Sequence, residues 1–262
     1  EGLLTSPEVM LRVCALNGLA ALRAPPSLPT LLPMLHDPLT RRSAWRLLAH
    51  VEHPTVALLT VRALATAQTR DAALGALGAA RKPLSSEFEG DLRLALRHVP
   101  GVRAWLEAAL ESSEDERHFG AVLVARALGD ASLAPALVSS VRGERDGEVV
   151  LQAVVELGAA AARALLASPE LLANLPGEAR AVAGDAIVRL SEPGLVPQLV
   201  TLIESGEPEL AELGARALGR TRSRYAISAL VRLFEDDALA VHAYRSLVAL
   251  AVSWPAEVRE AL

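Results

Sequence analysis

Residues 215–219 read Ala-Arg-Ala-Leu-Gly, and residues 125–129 read Ala-Arg-Ala-Leu-Gly again. Shorter copies of the phrase stand at Gly75-Ala76-Leu77-Gly78 and Val155-Glu156-Leu157-Gly158. Taking the leucine as position 0 gives a series along the whole chain: Leu19, Leu48, Leu77, Leu128, Leu157, Leu190, Leu218 and Leu247. The intervals are 29, 29, 51, 29, 33, 28 and 29 residues. A fixed period of that size is the mark of a repeat architecture.

Columns within the repeat give it a physical meaning. Position −4 holds Ala15, Ala44, Ala73, Val124, Ala153, Ala186, Gly214 and Ala243. Positions 0 and −4 lie one turn apart on a helix, so small residues there let a neighbouring helix come close. Position −11 is acidic in five of the eight units, namely Glu8, Asp37, Asp146, Glu207 and Asp236. A carboxylate at a helix start satisfies free N–H groups and suits the dipole. Pro7, Pro38 and Pro208 stand beside that column, as expected for the first turn. Position −7 holds Arg12, Arg41 and Arg70 in the first three units and Ala or Val later. These arginines point toward the buried stripe, and the reading is that they bridge to acids and carbonyls of the adjacent unit.

Between the leucine-bearing helices runs a connecting helix, as at 27–35, 54–64, 131–141, 193–203 and 224–234. One such pair cannot cover its own apolar face, whereas stacked pairs can. The sequence therefore predicts an all-α solenoid, a right-handed stack of about eight two-helix repeats forming a single domain over 1–262. Regular repeats cover about 1–80 and 116–262. Irregular helices fill about 81–115, where 51 residues separate two leucines and Pro100-Gly101 marks a kink. A smaller insertion falls at 168–176. The chain opens on Glu rather than Met, which points to a piece of a longer protein.

These residues resemble HEAT repeats, in particular the short HEAT-like repeats of phycobilisome lyases. The leucine helix of that family reads acid, Val-Arg, two residues, a small residue, Ala, one residue, Ala-Leu-Gly; Asp37–Ala49 and Glu207–Gly219 fit it in register. The resemblance extends over nearly the whole chain and implies the fold. It implies little about function, because the family is mostly scaffolds.

The composition agrees. Residues of the AVILMFWYC set make up 52% of the 262, but aromatics only 3%. The apolar mass is Ala, Leu and Val, too few rings for a nucleic-acid stacking platform. Net charge is −5, which disfavours a dedicated nucleic-acid binder. Charge is uneven: residues 1–110 carry 12 cations against 9 acids, residues 111–262 carry 14 against 22. That difference reads either as a bipolar surface or as drift among solvated side chains. Lys82 is the only lysine. The one cysteine, Cys14, lies in an apolar helical run and is expected to be buried; it excludes an internal disulfide. The most apolar stretch, 149–167, is interrupted by Gln152, Glu156 and Arg163, which makes it a poor membrane span. A cytoplasmic location is the expectation.

Catalytic signatures such as G-x-S-x-G, the P-loop, H-E-x-x-H and paired CxxC do not occur. His50-Val51-Glu52-His53 is the densest group of potential metal ligands, but it reads as a helix C-terminus where histidine complements the dipole. No metal and no cofactor are expected. The outward column, position −2, holds Asn17, Arg46, Gly75, Arg126, Val155, Val188, Arg216 and Arg245. The helices at 149–155 and 181–188 are apolar nearly all round, so Leu151, Val155 and Val188 either form a binding surface or lie under the insertion. Arg46, Arg126, Leu151, Val155, Val188, Arg216 and Arg245 are thus the candidate binding residues, with hydrophobic anchors between arginines. The expected function is a non-enzymatic scaffold or adaptor for a protein or peptide partner. The alternative is an enzyme or enzyme subunit, lyase-like or DNA-glycosylase-like, the latter lining a face with arginines for phosphates.

Overall fold

In the computed structural model, residues 2–51, 53–81 and 84–262 are described. They are helical throughout, with no strand among the described residues. Two compact units result, Glu1–Gly129 and Asp130–Leu262.

The first unit contains α1 (Val9–Ala21), α2 (Leu28–Leu31), α3 (Arg41–Leu48), α4 (Pro54–Ala65), α5 (Ala67–Ala80), α6 (Ser86–Leu96), α7 (Val102–Leu110) and α8 (Asp115–Leu128). The leucine helices are α1, α3, α5 and α8, and each packs on the next. The 51-residue interval is explained by two connecting helices, α6 and α7, of 11 and 9 residues; the 33-residue interval likewise holds two, the shorter α11 and α12. They are separated by a turn in which Gly101 has φ +70°. Helix α5 nevertheless packs directly on α8. The approach is so close that a Cβ at Gly78 would overlap the carbonyl oxygen of Glu116, and one at Gly120 would overlap that of Leu74.

The second unit contains α9 (Ala134–Ser139), α10 (Glu144–Glu156), α11 (Ala159–Leu166), α12 (Pro169–Asn174), α13 (Gly177–Arg189), α14 (Val196–Ile203), α15 (Pro208–Leu218), α16 (Tyr225–Arg232), α17 (Asp237–Ala251) and α18 (Pro255–Ala261). Here α10, α13, α15 and α17 are the leucine helices, again stacked in order. The insertion at 168–176 folds as α12, against α11 and α13. No single helix is long and apolar enough to cross a membrane; α10 and α11 together have the composition but meet at 110°.

The small-residue column behaves as its spacing requires. Ala44, Ala73, Val124 and Ala243 are fully buried and Gly214 nearly so, whereas Ala15 is half-buried; Ala153 and Ala186 are buried too, at the −1 place of a register shifted by three residues. A Cβ at Gly214 would stand 2.7 Å from Ile203 Cγ1 and 3.0 Å from Leu199 O, so this column is where helices meet.

Two details depart from the sequence reading. In α3, α5, α15 and α17 the buried set is −4, −1 and 0, for example Ala44, Leu47 and Leu48. In α10 and α13 the same set is Val150, Ala153, Val154 and Ala183, Ala186, Ile187, counted from a position three residues earlier. Leu157 and Leu190 are half-buried C-cap residues instead. A slip of three residues turns the register by only about 60°, so a leucine there still looks like the anchor. The second departure is Cys14, which is exposed.

Candidate functional site

The arginines at −7 act as their position implies. Arg12 donates to Ser6 O at 2.7 Å and pairs with Asp37 of the next repeat at 3.2 Å. Arg41 donates to Leu35 O at 3.0 Å and to Gln68 O of the next repeat at 3.2 Å. Arg70 donates to Leu64 O at 2.9 Å and lies 4.5 Å over the Trp105 ring. Burial holds its pKa below the ordinary arginine value, with the Asp71 carboxylate opposing the shift. With α13 counted from Ile187, Arg180 becomes a fourth member. It donates to Ala173 O at 2.7 Å and Leu175 O at 3.1 Å, and pairs with Glu209 of the next repeat. This column is structural: each guanidinium satisfies carbonyls in the turn before its own helix.

The outward column divides between the units. In the first, Arg46 pairs with Glu116 and Arg126 with Glu89 at 2.6 Å. Around Arg46 lies a cavity of about 150 Å³. Its other charges include Arg42, paired with Glu114 at 2.7 Å, and Arg117, paired with Asp71 at 3.1 Å. Every arginine lining it therefore faces a carboxylate. The acids that face Arg42 and Arg46 of α3 come from the start of α8, about 70 residues away, whereas Asp71 of α5 faces Arg117 of α8, juxtapositions that the repeat columns do not contain.

In the second unit, Leu151 and Val155 on α10 and Val188 on α13 are half-buried. Arg216 on α15 and Arg245 on α17 are exposed. Arg216 stands 3.9 Å from Asp185, and His242 stands 3.6 Å from Glu212. Helix α12 contacts α11 and α13, at the connecting-helix side. An open groove of about 940 Å³ runs there, lined by Ser139, Glu170, Asn174 and their neighbours.

Of the histidine group, His53 caps α4, its Nδ1 accepting Thr55 N–H at 3.1 Å; Glu52 lies outside the described residues. His118, which the sequence did not mark, is buried, and its Nδ1 lies 2.9 Å from Leu110 O.

Stacked helix pairs, a small residue at −4 and an arginine column bridging successive repeats define, within each unit, an all-α stack of helical repeats. No protein-family model and no curated protein matches the sequence. The structure of Kap121p bound to Pho4p aligns at 14% identity with a TM-score of 0.41, over 95% of this chain and 36% of that one. The CpcE–CpcF complex of phycocyanin lyase from Nostoc sp. PCC7120 aligns at 19% identity with a TM-score of 0.27, over 96% of this chain and 92% of that one. This chain thus spans little more than a third of the length of Kap121p.

Proposed function

We propose that this protein is a non-enzymatic scaffold that holds a protein or peptide partner on the leucine-helix face of its second unit. The observation that carries this reading is the half-buried apolar group Leu151, Val155 and Val188, with exposed Arg216 and Arg245 on the helices that follow. An apolar anchor beside charge is the usual build of a binding hot spot. In the first unit Arg46 and Arg126 are held by Glu116 and Glu89, and they tie helices of that unit together rather than line a phosphate track. That pairing speaks for a protein partner over nucleic acid.

The test is the double variant Val155→Asp with Val188→Asp, beside Arg216→Glu with Arg245→Glu. Partners are captured from lysate on immobilised protein and identified by mass spectrometry. Both variants are expected to lose the same captured protein while keeping wild-type helicity by circular dichroism. Loss of helicity in the valine variant, or unchanged capture by both, overturns the reading.

A further inference from the structure

The turn from α15 to α16 reads Arg220-Thr221-Arg222-Ser223-Arg224-Tyr225. Its side chains alternate. Thr221 and Ser223 are buried, at 1% and 5% exposure, while Arg220, Arg222, Arg224 and Tyr225 are exposed. The buried pair holds the backbone: Thr221 Oγ1 donates to Leu218 O at 2.7 Å, and Ser223 Oγ accepts Tyr225 N–H at 3.3 Å. From the next repeat, Trp254 Nε1–H donates to Arg222 O at 2.9 Å. Arg222 is thereby kept at φ +52°, a left-handed conformation that Gly129 and Gly158 supply in other turns. An arginine thus stands where the backbone favours glycine. The turn lies inside the stack of the second unit, since α13 packs on α15 before it and α17 and α18 pack on α16 after it.

Residues 130–262 carry 12 cations and 18 acids, a net charge of −6, yet three of those 12 cations fall within the five residues 220–224. Elsewhere in the unit Arg163, Arg180 and Arg216 face Glu192, Glu209 and Asp185. Among the described residues neither Arg220 nor Arg222 forms an ion pair. Arg224 donates to the Tyr225 hydroxyl at 3.2 Å, and Glu257 on α18 acts on it through its charge, the weakest of the influences there. We propose that this turn is a binding site for a phosphoryl group carried on a peptide. A phosphoryl group offers three acceptor oxygens and close to two negative charges, which suit several guanidinium forks at once, whereas a carboxylate fills one. Alternate Cα atoms are at most about 7 Å apart along the chain, so three long side chains can meet on a single anion. Helix α16 begins at Tyr225, and the positive end of its dipole adds to the same spot. Nucleic acid binds by spreading many phosphates over many cations, and the acidic surface of the unit around this one basic turn opposes that. The fitting ligand is therefore one phosphorylated residue between neutral or basic neighbours. The site is separate from the apolar group on α10 and α13 and does not depend on what that face holds.

The probe is a short fluorescent peptide of glycine and alanine around one phosphoserine, read by anisotropy beside its unphosphorylated form, with oligothymidine and inorganic phosphate as competitors. Wild type is expected to bind the phosphopeptide at least about tenfold more tightly than the unphosphorylated form. Binding is also expected to shift the Trp254 indole N–H signal in nitrogen-15 spectra and leave those of Trp45 and Trp105, which belong to the first unit. Arg220→Gln should lose about tenfold in affinity. Arg222→Gly should lose as much while its Tm holds or rises, because glycine accepts the left-handed backbone; a merely structural arginine would not separate the two. Arg232→Gln removes an exposed charge at the far end of α16 and should bind as wild type does. Equal affinity for the two peptides, or full affinity in Arg222→Gly, overturns the proposal. So does an unmoved Trp254 signal, or a loss in Arg232→Gln as large as in Arg220→Gln. Tighter binding of oligothymidine or of inorganic phosphate than of the phosphopeptide overturns the peptide as the source of the phosphoryl group.

Discussion

Gly75 and Gly78 lie one turn apart in α5, and the same substitution at each should act in opposite directions. A Cβ at Gly75 meets nothing within 4 Å. Gly75→Ala therefore gains helix propensity alone, about 1 kcal/mol. At Gly78 the obstacle is the backbone of α8, at the Glu116 carbonyl and the Gly120 nitrogen, rather than a side chain that could swing away. Overpacking of that kind falls at the upper end of the usual cost, about 3 kcal/mol, and offsets the same propensity gain to leave a net loss of about 2 kcal/mol. With a urea dependence of about 2 kcal/mol per molar, the two midpoints should separate by about 1.5 M. Tryptophan fluorescence reads the first unit cleanly in a Trp254→Phe background, because Trp45 and Trp105 both belong to it. A Gly78→Ala protein as stable as wild type, or more so, would refute the close approach of α5 and α8.

Ala44→Leu, Ala73→Leu and Ala243→Leu should each cost about 1–3 kcal/mol in a denaturant melt, because all three Cβ atoms are fully buried at helix crossings. Unchanged melts in all three would mean that the −4 column does not mark the crossings. Arg41→Ala and Arg180→Ala should each lose about 1–3 kcal/mol by stranding turn carbonyls. Lysine at either site should restore little, since an ammonium cannot reproduce the forked contacts; full rescue by lysine would argue against them. The Tyr225 phenol should titrate below the ordinary tyrosine value, because the Arg224 guanidinium hydrogen-bonds to it and favours the phenolate. Arg224→Gln should move that titration up, as read by phenolate absorbance; no movement would remove the contact.

The repeat was legible because it is written in columns. Leu48, Leu77, Leu218 and Leu247 are all buried where the 29-residue period sets them. The three −7 arginines could be read as bridges because a guanidinium on an apolar stripe has only carbonyls and acids to meet. What the columns could not carry is anything that breaks the period. Leu157 and Leu190 misled by lying one turn beyond the buried position, and that slip hid Arg180 as the fourth arginine. The carboxylates that hold Arg46 and Arg126 sit on α8 and α6, beyond or inside the irregular stretch, so no column aligned them. Cys14 was expected in the core on local pattern alone. Local pattern says that a face is apolar but not that it is covered.

The arginine column also gives the array a direction. Arg12, Arg41 and Arg180 each hold the turn behind them and reach forward to Asp37, Gln68 and Glu209 of the repeat that follows. Arrays of this kind behave as a row of nearest-neighbour couplings. Here those couplings are not symmetric about a repeat. Losing the repeat ahead strands a charged side chain at the break, while losing the repeat behind leaves the arginines of the remaining repeats fully engaged. Fraying should therefore proceed more easily from one side of such a junction than from the other, and deletions that preserve the forward acceptor should be the ones a chain of this design survives.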